Sequence, residues 1–191
     1  MAVSGIMTHL TRRTFSVSLL ATGSLAACGN GIGGGGASQI DARVASSLQF
    51  MQSTYPGTAD LRARAAGMLV MPLITEVGLG LGGSYGRGAL KVGESTVDYY
   101  SAAAGSAGLQ IGAQQYSHVL FFMTEDALLN FRTSDGWEAG ADVEYAISDQ
   151  GQTLRANTTT QLSPVIAVIF AQTGLRLGAT LEGTKYTRII P

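Results

Sequence analysis

Four matched glycine pairs govern the shape open to this chain. Gly78 and Gly82, Gly108 and Gly112, Gly136 and Gly140, and Gly174 and Gly178 each stand four residues apart. In every copy the residue after the first glycine is large and apolar (Leu79, Leu109, Trp137, Leu175) and the residue after the second is tiny (Gly83, Ala113, Ala141, Ala179). Glycine inside a strand marks a bulge, a bend or the close approach of another backbone. Four such places predict one sheet curling tightly around a shared interior. The same spacing in packed membrane helices needs an apolar run of about 20 residues. Arg87, Gln110, Glu138 and Arg176 interrupt every candidate run.

The first 27 residues read as an export address. Arg12 and Arg13 form a basic pair, Phe15 to Ala27 is a short apolar run, and Leu25-Ala26-Ala27 closes it ahead of Cys28. That layout is a secretory signal, and its apolar part is too short to span a bilayer. A cysteine directly after Leu-Ala-Ala resembles the lipobox of bacterial lipoproteins, which implies a diacylglyceryl group and palmitate on Cys28. Thr11 to Phe15 resembles a twin-arginine export motif; Ser16 departs from it, so the general secretory route stays open beside it. Gly29 after the cysteine, by the same resemblance, favours an outer-membrane destination facing the periplasm.

Loss of the address removes Arg12 and Arg13 from 12 basic residues, leaving 10 against 13 acidic ones, a net charge of about -3. That balance offers no electrostatic footprint for nucleic acid. Cys28 is the only cysteine. Once acylated, it leaves the domain without a disulfide or a cysteine metal site. Residues 28–37 are glycine-rich and read as a flexible tether. Residues 38–191 then form one domain, long enough for a sizeable core.

Along that domain, Ser38 is expected to cap an amphipathic helix with Ile40, Val44, Leu48 and Met51 on one stripe. Core packing is the expected fate of the stripe; lying on lipid is the alternative. Thr58 to Ala66 reads as a second short helix stopped by Gly67, and Met68 to Met71 as a buried strand ended by Pro72. An exposed strand around Gly88 to Val92 leads to a turn at Gly93-Glu94, then Val97 to Ala102 and a strand over Gln110 to Met123. Thr124 caps a third helix, with Glu125 and Asp126 suited to its N-terminus and Leu128, Leu129 and Phe131 facing inward. Glu138 to Ile147 and Leu154 to Gln161 read as a hairpin, Val165 to Phe170 as a fully apolar strand, and Leu175 to Ile190 as the last strand or pair. The fold class is α+β: a strongly curved, barrel-like antiparallel sheet with about three covering helices.

The segments GLGLGGSYGRGAL, VDYYSAAAGSAGLQIGAQQYS, LFFMTEDAL and LEGTKYTRI resemble the SYLF-domain family, also called the yeast actin-binding domain family, in its bacterial lipoprotein branch. The resemblance implies a membrane-associated, lipid-binding domain. Eukaryotic relatives bind phosphoinositides and, in yeast, actin; an exported bacterial protein meets no actin, so that partner is not carried over. Where many relatives carry lysines beside the first glycine block, this chain has Ala66 and Glu76. The basic residues near the shared motifs are Arg87, Lys91, Lys185 and Arg188, with Arg62 and Arg64 on the second helix. Their charge-assisted donors suit phosphate, which makes these six the candidates for an anionic headgroup, Lys185 and Arg188 foremost.

Catalysis finds little to work with. The domain holds one histidine, His118, and no free thiol, so neither a Cys-His pair nor a histidine metal cluster can be built. Gly80, Gly82 and Gly83 lack the Lys-Ser or Lys-Thr and helix start of a phosphate loop. The expectation is a non-enzymatic, cofactor-free envelope lipoprotein whose domain binds anionic phospholipid or a phosphoinositide-like lipid. The alternative is a structural or adaptor module that binds another envelope protein through the apolar helix or a sheet edge.

Overall fold

Two strands far longer than the domain is wide set the architecture. β1 (Gly67–Val92) has 26 residues and β2 (Ser95–Phe122) has 28. Extended, 26 residues would reach about 86 Å, whereas a domain of this size has a radius of gyration of about 15 Å. The pair therefore has to fold over on itself. A computed structural model describes residues 35–140, 143–145, 163–171, 174–175 and 181–191, and shows how.

β1 and β2 form one antiparallel hairpin, from Val92 opposite Ser95 beside the turn to Gly67 opposite Phe122 at the far end. Gly93 makes the turn at φ 58°, a left-handed conformation that glycine adopts freely. Midway, Gly78 faces Gly112, and between Leu79 and Gly80 the partner jumps from Ile111 to Gly108. The extra β2 residues there form a bulge, which bends a strand and raises its twist. The first two glycine pairs thus face each other at the bend of a single hairpin. The curl closes where β1 returns to its own beginning: a Cβ on Gly88 would sit 2.1 Å from the Val70 carbonyl oxygen, and one on Gly86 2.4 Å from that of Leu73. Neither position can hold a side chain without moving backbone.

The remaining strands are β3 (Trp137–Glu138), β4 (Val143–Tyr145), β5 (Val165–Ala171), β6 (Gly174–Leu175) and β7 (Lys185–Ile189). With β1 and β2 they make, among the described residues, a seven-stranded sheet in the order β3-β7-β2-β5-β4, with β1 also on β2 and β6 on β5. β2 spans both halves of it, pairing with β7 through Tyr99 to Ala103 and with β5 through Ser117 to Phe122. β4 runs parallel to β5, so the curved sheet is mixed. The partner strand expected over Leu154 to Gln161 lies outside the described residues, as do the export address, Arg12, Arg13, Cys28 and Gly178.

Among the described residues three helices cover the sheet: α1 (Gly36–Thr54), α2 (Thr58–Arg64) and α3 (Glu125–Thr133). The apolar runs of β1, β2 and β5 are continuous because both faces are buried. Leu69, Met71, Leu120, Phe122 and Ala167 pack inside the curl with Tyr100, Phe131 and Tyr186. Their neighbours Val70, Val119, Phe121, Ile166 and Val168 pack outside it, beneath Ile40, Val44, Leu48 and Met51 of α1 and Leu61 of α2. Each such side chain is worth about 1.5–3 kcal/mol when fully buried. The stripe of α1 is therefore a core face.

Several local expectations change. Gly35, not Ser38, precedes α1; Gly36 and Ala37 of the expected tether are already helical, and the Ser38 hydroxyl donates back to the Gly35 carbonyl. Asp41 accepts from Thr96 Oγ1 at 3.0 Å and Tyr99 Oη at 2.8 Å, tying α1 to β2. α2 ends at Arg64, and Gly67 opens β1. Pro72 does not end that strand, because a register irregularity between Met71 and Ile74 absorbs its missing donor. Gly88 to Leu90 is buried under the closing curl, while Leu129 on α3 points to solvent at 59% exposure. Thr124 does cap α3, accepting from the Ala127 amide at 3.2 Å.

Candidate functional site

The six basic candidates separate into groups. Arg62 pairs with Glu94 at 2.6 Å, Lys91 donates to the Glu94 carbonyl at 2.7 Å, and Arg64 pairs with Asp60 one helical turn away at 2.7 Å. Glu94 and Asp60 offset the charge there. Arg188 lies 3.7 Å from Asp98 and donates to the Arg132 carbonyl, while Arg132 holds the same carboxylate at 3.1 Å. These groups close one end of the curl beside Tyr100, whose phenol burial pushes above its ordinary value.

Lys185 and Arg188 do not converge. Three residues apart on a strand, they project to opposite faces: Tyr186 points into the curl, and Lys185 points away from it. On that outer face Lys185 joins Arg87. β1, β2 and β7 lie side by side here, with Tyr85, Ala103 and Lys185 in one row and Arg87, Ser101 and Thr187 in the next. The Lys185 stem lies over Gly136, where a Cβ would meet Cε at 2.6 Å. That glycine belongs to the third pair, so its bare backbone leaves room for the lysine.

This outer face is open. Ala89 and Tyr99 lie under α1, but toward the bend the cover ends. Val77, Leu81 and Tyr85, on the same side of β1 as Arg87 by strand alternation, are 53%, 81% and 56% exposed. Three large apolar side chains standing in water, the last of them, Tyr85, in the row of Lys185 and next to that of Arg87, is the pattern of a surface that meets another apolar phase. The sequence carried the signal in the odd-numbered spacing of Val77, Leu81, Tyr85 and Arg87; what hid it was the glycine-rich setting, which reads first as a bend around a shared interior.

A second feature escaped sequence reading. One flank of α1 overhangs β1, β2 and β5 and leaves a groove of about 500 Å³, lined by Arg43, Ser47, Phe50, Leu73, Ser117 and Phe170 among others. The Phe50 and Phe170 rings stack at 6.0 Å.

His118 lies in the core. It is fully buried, its Nε2 is 2.8 Å from the Tyr186 hydroxyl, and burial lowers its pKa to about 3. Sitting neutral in the core, it is a structural hydrogen-bonding group. Among the described residues no three His, Cys, Asp or Glu side chains gather as metal ligands, and no helix is long and apolar enough to cross a membrane.

Compared with protein families, residues 103–188 match the family described as Ysc84, Las17-binding protein actin regulator. The match runs from the middle of β2 to β7 and takes in Lys185 and Arg188. No curated protein matches the chain.

Proposed function

Through residues 103–188 the chain belongs to the SYLF-domain family, a family of binding domains, and from that premise we propose that it is a lipid-anchored envelope protein whose domain docks on anionic phospholipid. The open face of the hairpin bend is the contact: Leu81, Val77 and Tyr85 enter the headgroup boundary while Arg87 and Lys185 meet phosphate. The observation that carries this reading is the exposure of Leu81, 81%, on the strand face that farther along carries Arg87 and Lys185. A basic residue near an anionic surface contributes about 1 kcal/mol, and apolar contact about 25 cal/mol per Å². Together they give reversible, salt-sensitive docking. A diacylglyceryl group on Cys28 would supply the lasting attachment, since two chains suffice for it. With Gly29 after it, that anchor would hold the domain on the periplasmic side of the outer membrane.

The adaptor reading loses one of its routes, because the apolar stripe of α1 is spent inside the fold. The sheet edge is its remaining surface.

The test is co-sedimentation of the full chain carrying Cys28→Ser with vesicles of phosphatidylcholine, with and without phosphatidylglycerol. Binding should need the anionic lipid and weaken in Arg87→Ala/Lys185→Ala and in Leu81→Asp. Equal pelleting by all three proteins would discard the open face as the contact. Mass spectrometry of the native protein checks the lipid on Cys28 separately.

A further inference from the structure

The groove beside α1 differs from the open face in kind. The open face is convex and wet; the groove is a recess of about 500 Å³, within the range of small-molecule sites, roughly 300–1,000 Å³. Its inner wall is apolar. Phe170 is buried, Phe50 stacks on it, and Leu73 of β1 lies opposite. Polar groups stand at defined places along it. The Ser47 hydroxyl is buried, its residue 8% exposed, and has no hydrogen-bond partner. Leaving such a group unmet costs about 1–3 kcal/mol; its oxygen is closed to solvent in the free protein, so a turn of the side chain toward the groove is what lets a ligand acceptor recover that deficit. The Ser117 hydroxyl donates to the Pro72 carbonyl at 2.7 Å and keeps its lone pairs free to accept. At the mouth stands Arg43, exposed, one turn before Ser47 on the same helix flank. Asp41, its near neighbour in sequence, is turned away and held by Thr96 and Tyr99.

An apolar wall, a buried unmet hydroxyl and a cation at the rim define one chemical class of occupant. We propose that the groove binds a single long acyl chain bearing an anionic head, the chain against Phe50, Phe170 and Leu73, and the head at Arg43 and Ser47. The charge at the mouth selects the anionic head, and the size and lining of the recess select one chain over a folded peptide. β1 runs from Leu73 at the groove to exposed Val77 in four residues, about 13 Å. A chain leaving a bilayer at the open face has a short path to the groove. The site is separate from the docking face and stands without it.

The experiment uses the full chain with Cys28→Ser and cis-parinaric acid, a fluorescent fatty carboxylate, as probe. Saturable binding at one site per chain is expected, weakened about tenfold by Arg43→Glu, which reverses a charge-assisted contact. Ala42→Trp, at an exposed position on the groove wall, should block the probe while vesicle pelleting persists. Thermal melts establish that both variants are folded. Displacement by palmitate alone identifies a free fatty acid as the natural class, and displacement by lysophosphatidylglycerol identifies a phospholipid chain; either supports the site. Hexadecanol competing as strongly as palmitate would overturn the anionic selection. No saturable probe binding, or binding indifferent to both variants, would overturn the site itself, even if the chain still pellets with vesicles.

Discussion

The Tyr186 hydroxyl meets His118 Nε2 at 2.8 Å in the middle of the curl, joining β7 to β2 across the interior. The other ring nitrogen, Nδ1, is buried without a partner. A histidine that is 0% exposed and held neutral makes folding depend on pH. Its folded pKa, about 3, lies below the ordinary value of 6.5. As pH falls below 6.5, the unfolded chain takes up the proton first. Stability should therefore drop through the window from 6.5 toward 3, by up to about 1.4 kcal/mol per pH unit. Urea titrations of wild type and His118→Gln across that window check it: the gap between them should close as pH falls, and parallel curves would contradict the assignment.

Tyr186→Phe removes the hydroxyl that meets His118 Nε2 and, among the described residues, leaves both ring nitrogens unmet. Loss of a buried hydrogen bond of this kind costs about 1–3 kcal/mol. Chemical denaturation at neutral pH should show that loss, with the His118→Gln/Tyr186→Phe double variant falling short of the sum because the two residues share one contact.

Among the described glycines, Gly88 makes the closest approach to another backbone. Gly88→Ala would force a Cβ to within 2.1 Å of the Val70 carbonyl oxygen and 2.5 Å of Met71 Sδ, with a cost of about 3 kcal/mol or more. Gly105→Ala meets nothing within 4 Å and should be neutral, or stabilise by up to about 1 kcal/mol through the unfolded chain. Melting temperatures of the two variants make the comparison; a mild effect at Gly88 would mean that the crossing relaxes easily.

Lys185 and Arg188 separate in their expected contribution to lipid docking. Arg188 is engaged with Asp98 and the Arg132 carbonyl, whereas Lys185 stands on the open face. Lys185→Ala should weaken anionic vesicle binding about fivefold, the equivalent of one basic residue near a charged surface. Arg188→Ala should leave it within about twofold. The reverse ranking in the sedimentation assay would move the contact to the end of the curl.

Much of the fold could be read in advance because local and tertiary preferences agree. The stripe of α1, the cap at Thr124, the turn at Gly93 and the apolar run of β5 each needed only a neighbouring residue or a period to be seen. The glycine pairs foretold a bend, and the first two meet at one. Gly86 and Gly88 lie outside that repeat, yet a Cβ at either would sit within 2.5 Å of another backbone carbonyl oxygen, because which backbone crosses which is a matter of tertiary geometry. The same limit applies to the site. Lys185 and Arg87 belong to different strands, and only the registers of β1, β2 and β7 bring them onto one face. The groove depends on the distance at which α1 overhangs the sheet, a quantity with no periodic trace in the chain.

The length of the hairpin also sets the order of events in time. Its turn joins neighbours, but Gly67 and Phe122 at its open end are 55 positions apart, and such distant pairings are slow to form. Until Phe122 has left the ribosome, β1 has no partner for its first residues and presents a naked, sticky ribbon. Maturation of this protein is therefore bound to synthesis of its second long strand, and a nascent chain halted before that point should remain a substrate for chaperones and proteases.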